Sequence, residues 1–339
     1  MSSTPRHQTE PRGKSPLFDS HGRPVDYARI SVTSQCNLRC SYCMREEHEK
    51  EKTSSFTLGT GEISRIIEVL AGLGVVKIRF TGGEPLLRSD IVELVERAKN
   101  TRGIRKVTMT TNGVLLDRYF QGLADAGLDS LNISIDTLDR ERYRAITRRD
   151  EFARVRANLS KLLETQSMAL KLNVVMMRGI NTDEIRQFVE LTRDNEVTVR
   201  FLELQPFDDH QIWRTGKFLG AEKIMAMLTE LYPDLERTEG GATEFFGFNL
   251  PACKGSVAII PAFTRNFCNR CNRIRITSDG KVISCLYDKQ GFDLHPALQA
   301  GSAPERLEEI FRDAVARKPE DGKHAAGNSF RSSMSEIGG

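Results

Sequence analysis

The chain has 339 residues, 39% of them apolar, with 49 Lys and Arg set against 46 Asp and Glu for a net charge of +3. That suits one large folded domain or two smaller ones, and the charge is too balanced for a nucleic-acid-binding protein. Nothing approaches the roughly 18 uninterrupted apolar residues of a membrane span, and the N-terminus carries no apolar export segment. No nucleic acid and no membrane are expected as partners, and a cytoplasmic location is expected.

Residues 1–24 are rich in Ser, Pro, Arg, His and Gly and read as a mobile tail or a surface strap. From Tyr27 a β/α alternation begins. Strands are expected over 27–33, 75–81, 106–111, 130–135, 169–176 and 198–204. Amphipathic helices are expected over 62–73, 90–100, 117–126, 139–147, 152–164 and 182–195, with Gly74 and Gly127 as stops and Thr182 as an N-cap. Six such units predict a parallel sheet with helices outside, in either a doubly wound sheet or a barrel. Both place their sites at the carboxyl ends of the strands. Polar and Gly-rich residues follow those ends here: the Cys36 loop, Thr81-Gly82-Gly83-Glu84-Pro85, Thr111-Asn112-Gly113, and Ser134 with Asp136. After Pro206 the rhythm breaks. An irregular stretch over 207–218 holds Trp213, and a helix follows over 221–231. A β-hairpin over 272–285 turns at Asp279-Gly280, and a last helix runs over 304–318. The expected division is a tail (1–24), a barrel (25–245) and a C-terminal region (246–339).

Six of the seven cysteines fall into two compact triads, and Cys253 is left over. Clustering of this kind points to metal binding in a reducing compartment rather than to a disulfide framework. Cys36, Cys40 and Cys43 are spaced C-x3-C-x2-C. Structural zinc wants four ligands, whereas three thiolates suit a [4Fe–4S] cluster with one iron open to chemistry. A zinc knuckle borrowing a fourth ligand is the competing reading. Cys268 and Cys271 form C-x2-C, and the hairpin returns Cys285 towards them. Zinc with His295 or Cys253 as fourth ligand competes there with a second open cluster. Cys271, Arg273 and Arg275 share strand parity, so two guanidiniums face the same way as a cysteine. That is an anion site by composition, or a solvated face if the strand is exposed. Arg29, Lys77, Arg79, Lys171 and Arg200 put more positive charge on strands, where burial is costly without a ligand.

Cys-x3-Cys-x-Tyr-Cys resembles the signature of the radical S-adenosylmethionine (SAM) superfamily, and Gly82-Gly83-Glu84-Pro85 resembles its GGEP motif. Lys77 to Arg88, Cys271-Asn272-Arg273-Ile274-Arg275 and the terminal Met334 to Gly339 are similar to the GTP 3′,8-cyclase family of molybdenum cofactor biosynthesis. The resemblance runs from Tyr27 to Gly339. It implies an α/β fold, an incomplete (β/α)6 TIM-like radical SAM barrel whose C-terminal region carries a second Fe–S cluster. Two [4Fe–4S] clusters and SAM are the implied cofactors, with metal ligands Cys36, Cys40, Cys43, Cys268, Cys271 and Cys285. Tyr42, Gly83, Thr111, Ser134 and Lys171 are implied to hold SAM. The glycines are expected to let the backbone approach that ligand, and Glu84 to support its ammonium. GTP is implied to bind the second cluster through guanine, with its triphosphate among Arg29, Lys77, Arg79, Arg273 and Arg275. A 5′-deoxyadenosyl radical would take hydrogen from ribose C3′, and the carbon radical would attack guanine C8. Gly338 and Gly339 are implied to enter the active site. An external electron donor, a homodimer and transfer of product to cyclic pyranopterin monophosphate synthase are the implied partners. Gln205 stands where the family leads one to expect a Met contacting the SAM adenine. Two other readings remain. One is a radical SAM peptide-modifying maturase, which usually has more C-terminal cysteines and needs no arginine pair. The other is a zinc-stabilised nucleotide-binding module.

Overall fold

The computed structural model describes residues 16–43, 57–166, 168–205, 216–238, 246–264, 268–288, 290–299 and 302–322. The first six strands are β1 (Tyr27–Ser31), β2 (Lys77–Thr81), β3 (Lys106–Thr111), β4 (Ser130–Ser134), β5 (Ala169–Met176) and β6 (Val197–Glu203). Between them lie α1 (Thr60–Gly72), α2 (Ile91–Asn100), α3 (Leu116–Asp125), α4 (Arg140–Thr147), α5 (Phe152–Thr165) and α6 (Ile185–Glu190). Each strand pairs in parallel with the next. The expected helix over 182–195 is shorter. A 3-10 turn at Thr182–Glu184 precedes α6, and the N-cap is Asn181 rather than Thr182. The chain beyond α6 instead supports the loop before β9, where Lys254 donates to the Arg193 carbonyl.

The remaining elements are α7 (Ala221–Leu231), β7 (Glu236–Thr238), β8 (Phe246–Asn249), β9 (Ser256–Ile260), β10 (Arg273–Ile276), β11 (Lys281–Ile283), β12 (Phe292–Asp293), α8 (His295–Leu298) and α9 (Pro304–Ala316). The C-terminal strands extend the barrel sheet at both margins. β9 adds in parallel to β6, and β10 adds in parallel to β1. The full order is β12-β11-β10-β1-β2-β3-β4-β5-β6-β9-β8-β7. The hairpin of β10 and β11 forms as expected, with Gly280 at φ +81° in its turn.

The strands alternate, but with an inverted sense. Ile30, Ile78, Phe80, Met109, Leu131, Leu172, Val199 and Phe201 are fully buried on one face, which packs under the helices. The other face carries Arg29, Arg79, Thr110, Ser134, Asn173, Arg200, Arg273 and Arg275, and these line an internal cavity. The apolar layer therefore lies outside the barrel wall and the polar layer inside it.

Residues 16–25 are a strap. Leu17 and Val25 are buried, Phe18 bridges Pro24, and the Leu17 amide donates to the Leu73 carbonyl beyond α1. Among the described residues no helix is long and apolar enough to cross a membrane.

Phe201 anchors the outer layer, edge-on to Phe188 at 6.3 Å between ring centres. Phe201→Ala should cost about 3–5 kcal/mol, measured as a loss in denaturant unfolding free energy.

Candidate active site

The first triad sits on the loop leaving β1, and neighbouring loops hold it by backbone bonds. Gly83 donates to the Thr33 carbonyl at 2.8 Å and Glu84 to the Gln35 carbonyl at 2.7 Å. Arg39 and Ser41 donate to the Thr147 and Ile146 carbonyls at the end of α4, each at 2.9 Å. A Cβ on Gly83 would stand 2.2 Å from the Gln35 oxygen. Glycine is therefore required there by the packing of two loops, whatever ligand also approaches.

Glu84 is fully buried and ties three points together. Its carboxylate accepts from the Leu86 amide at 3.0 Å, the Thr111 hydroxyl at 2.7 Å and the Asn112 amide at 2.7 Å. The structure thus gives Glu84 and Thr111 a bracing task that sequence reading did not. Burial pushes the Glu84 carboxyl up to about 7 despite those bonds. Tyr42 donates to Asp136 at 2.8 Å, and Asp136 also accepts from the Val175 amide. Burial lifts Asp136 to about 6. Burial likewise raises the thiols of Cys36 and Cys40, with Glu84 adding to the first and Cys43 to the second.

The second triad lies at the opposite end of the strands. Arg273 pairs with Tyr27, the first residue of β1, so Cys271 lies towards the N-terminal end of the barrel. Ile283 pairs with Arg275, which brings Cys285 back to the same end. The first triad is at the carboxyl rim as expected, and the second is at the other end because β10 runs parallel to β1 with Arg273 level with Tyr27. Burial would raise the Cys271 thiol, but Arg273 and Lys318 pull it down to about 6.

Between the triads the register lays out positive charge in rows. Arg275, Arg29 and Arg79 are aligned neighbours on β10, β1 and β2. One level down, Arg273, Tyr27 and Lys77 are aligned in the same way. The Lys77 ammonium stands 4.2 Å from the centre of the Tyr27 ring, and the Arg29 and Arg79 guanidiniums stand 5.5 Å from it. Burial first, then Arg29 and Arg273, disfavour the charged form of Arg275. A guanidinium does not give up its proton in a protein, so an anion is what relieves this strain.

A single cavity of about 350 Å³ touches all six cysteines of the two triads together with Arg29, Arg79, Arg273 and Arg275. Tyr42, Gly83, Thr111 and Ser134 line it too, as does Gln205. Lys77 and Lys171 lie outside this lining. Lys77 stacks on Tyr27 instead. Lys171 is level with Asn132 and Thr198, and burial, then Arg200, bring it down to about 7. His295 and Cys253 do not line the cavity either. Gly338 and Gly339, and Trp213, lie outside the described residues. Sequence reading missed Asn173 and Glu203. Glu203 accepts from the Ala221, Phe263 and Thr264 amides and fixes the loop after β9. Its position at the carboxyl end of a strand was the available signal.

The residues fit the implied cofactors. Each triad offers three soft thiolate donors, the composition of an open iron–sulfur site. Among the described residues no three metal-binding side chains close on single-ion geometry, and a cubane spaces its thiolates more widely than a lone ion. Thr81 Oγ1 and Asn173 Oδ1 are buried in the cavity wall without a hydrogen-bond partner among the described residues. A polar ligand would satisfy both.

Comparison with known proteins agrees. Residues 30–192 match the radical SAM superfamily, and residues 197–324 match the Molybdenum Cofactor Synthesis C family. The chain is 55% identical over 323 residues to the GTP 3′,8-cyclase of Chlorobaculum tepidum, covering 95% of this chain and 97% of that one. The chain belongs to the GTP 3′,8-cyclase family. It is 38% identical to the GTP 3′,8-cyclase of Desulforamulus reducens, over 95% of this chain and all of that one. It is 40% identical to molybdenum cofactor biosynthesis protein 1 of Drosophila melanogaster, over 93% of this chain and 56% of that one. Among solved structures, Streptococcus suis SuiB bound to S-adenosylmethionine superposes with a TM-score of 0.59 at 16% identity, over 92% of this chain and 68% of that one. At that identity the likeness speaks for the radical SAM fold alone. Family membership brings SAM and the [4Fe–4S] clusters as cofactors.

Glu84 carries a pH signature. Its folded carboxyl titrates at about 7 against an ordinary 4.5, so the folded state holds the proton more tightly than the unfolded chain. Its contribution is full below about pH 4.5 and is lost as pH rises through 7. Glu84→Gln should remove that decline from the stability profile while lowering stability throughout, read as denaturation midpoints across this range.

Proposed function

We propose that this chain is a GTP 3′,8-cyclase that converts GTP to (8S)-3′,8-cyclo-7,8-dihydroguanosine 5′-triphosphate, in the first step of molybdenum cofactor biosynthesis. The observation that carries the reading is one cavity reaching both triads, with arginine rows between them. From the Tyr27 level to the Ser31 level of β1 is four steps, or about 13 Å at 3.3 Å per residue. That span is right for a nucleotide lying along the strands. When bound, the first cluster with SAM supplies one-electron, hydrogen-abstracting chemistry, and the second supplies an open iron for a ligand.

The chain's own residues do the rest. Cys36, Cys40 and Cys43 hold the first cluster at the carboxyl rim. Tyr42, Gly83, Thr111 and Ser134 shape the SAM side of the cavity, and Asp136 and Glu84 fix two of them through hydrogen bonds. Cys268, Cys271 and Cys285 hold the second cluster at the other end. Arg29, Arg79, Arg273 and Arg275 bind the triphosphate. Lys77 acts from behind Tyr27, and Lys171, implied by resemblance to hold SAM, is not part of the cavity lining. The apolar residues Leu202, Leu204 and Ile260 close the cavity on the β6 and β9 side and exclude water from the reacting carbon. Gly338 and Gly339 complete the site in this reading. A homodimer, an external electron donor, a cytoplasmic setting and transfer of product to cyclic pyranopterin monophosphate synthase rest on family resemblance. A peptide-modifying activity is the second reading, and the arginine rows speak against it, since a peptide backbone brings no charge to balance them.

Anaerobic reconstitution with iron and sulfide, then dithionite, SAM and GTP, should yield the cyclised nucleotide and deoxyadenosine together. GTP recovered unchanged would overturn the assignment. In the same protein Arg273→Ala combined with Arg275→Ala should weaken GTP binding roughly 100-fold or more, at about 1.5–3 kcal/mol per charge-assisted bond. SAM cleavage should remain possible. Equilibrium dialysis with labelled GTP provides the check.

A further inference from the structure

The strap before β1 and the segment after α9 meet over the second triad. Arg23 is the meeting point. It is 6% exposed, and its Nε donates to Asp19 at 2.5 Å. Its Nη1 donates to the Cys268 carbonyl at 2.5 Å and to the Glu320 carbonyl at 2.9 Å, and its Nη2 donates to the Pro319 carbonyl at 2.6 Å. Asp19 in turn accepts from the His21 and Arg23 amides, which closes the turn of the strap. Such a planar, five-donor group spanning three carbonyls and a carboxylate has no equivalent in lysine.

The segment 318–322 touches the other two cysteines. Lys318 is 3% exposed, and its Nζ donates at 2.5 Å to the carbonyl of Arg273, two residues past Cys271, which sets its positive charge near the Cys271 thiol. A Cβ on Gly322 would stand 2.7 Å from the Cys285 sulfur and 2.9 Å from the Tyr287 ring. Arg23 thus links Cys268 to the stretch 318–322, Lys318 ties that stretch to the strand beside Cys271, and Gly322 packs close against Cys285. Neither strap nor segment belongs to the arginine rows.

We propose that Arg23 and Lys318 are positioning residues for the second cluster, clamping the segment after α9 across Cys268, Cys271 and Cys285. The clamp would hold Cys268, Cys271 and Cys285 in one arrangement as ligands of that cluster. The inference rests on the second triad holding a cluster of its own.

The test uses the full chain reconstituted anaerobically with iron and sulfide, with bound iron and the reduced-cluster EPR signal as readouts. In a background with Cys36, Cys40 and Cys43 all replaced by Ser, only the second triad can hold iron. There Arg23→Ala and Lys318→Met should each weaken cluster retention roughly 10- to 100-fold against chelator challenge, the cost expected for partners outside the ligand set. Lys318→Arg, which keeps a buried donor, should recover most of it. With the first triad intact, Arg23→Ala should lose the second cluster's signal and keep the first's. Equal loss of both signals would mean general unfolding and would overturn the positioning role, as would full retention in both variants. If the background without substitution at 23 or 318 binds no iron, the cluster assignment itself falls, and the clamp with it.

Discussion

Arg275, Arg29 and Arg79 stand side by side on three adjacent parallel strands, inside a barrel. Like charges directly opposite on neighbouring strands destabilise a sheet, so a fold that keeps three in a row must repay their repulsion. Part of the repayment is aromatic. Tyr27 offers its ring to three cations and its hydroxyl to the Arg29 Nε. The rest comes from packing on the other face, where the apolar layer under the helices is almost fully buried. The hydrophobic wall thus supports an interior whose own electrostatics oppose folding and favour a polyanion.

Around that interior the carboxyl rim is held by buried carboxylates. Glu84, Asp136, Glu184 and Glu203 each accept a backbone amide from a neighbouring loop or strand. Unpaired carboxylates would be costly at such burial. Amide donors make them fixed braces, so the loop carrying the first triad is positioned by hydrogen bonds from three neighbours rather than by its own sequence. Acid groups brace the rim, and basic groups fill the body of the barrel and its far end.

Much of this was legible in the residues. The β/α rhythm, the two cysteine triads, the Asp279-Gly280 turn and the shared parity of Arg273 and Arg275 all follow from local spacing, which sequence displays directly. What was hidden depended on partners distant in the chain. No local signal shows that β10 would lie beside β1, and so the second triad's place at the opposite end of the barrel could not be read. Gly83 was legible as a place where backbone must come close, but its neighbour proved to be Gln35. Arg23 looked like part of a polar tail, because the carbonyls that occupy it lie some 245 and more positions away. Lys171 was read from resemblance as a SAM contact, but its level on β5 sets it outside the cavity lining.

The strand order has a mechanical consequence. β9 and β10 are successive strands, yet they occupy the two margins of the parallel run, and no ladder joins one to the other among the described strands. A closed barrel has a fixed circumference, since widening it would break a continuous ring of hydrogen bonds. Here the ring has a seam. No rung of the sheet spans the gap between β9 and β10 among the described residues, so the ladder itself does not set its width. The second triad begins just before β10, on one flank of that seam, whereas the first leaves β1, one strand further in, so only the second sits where the ring of hydrogen bonds is interrupted.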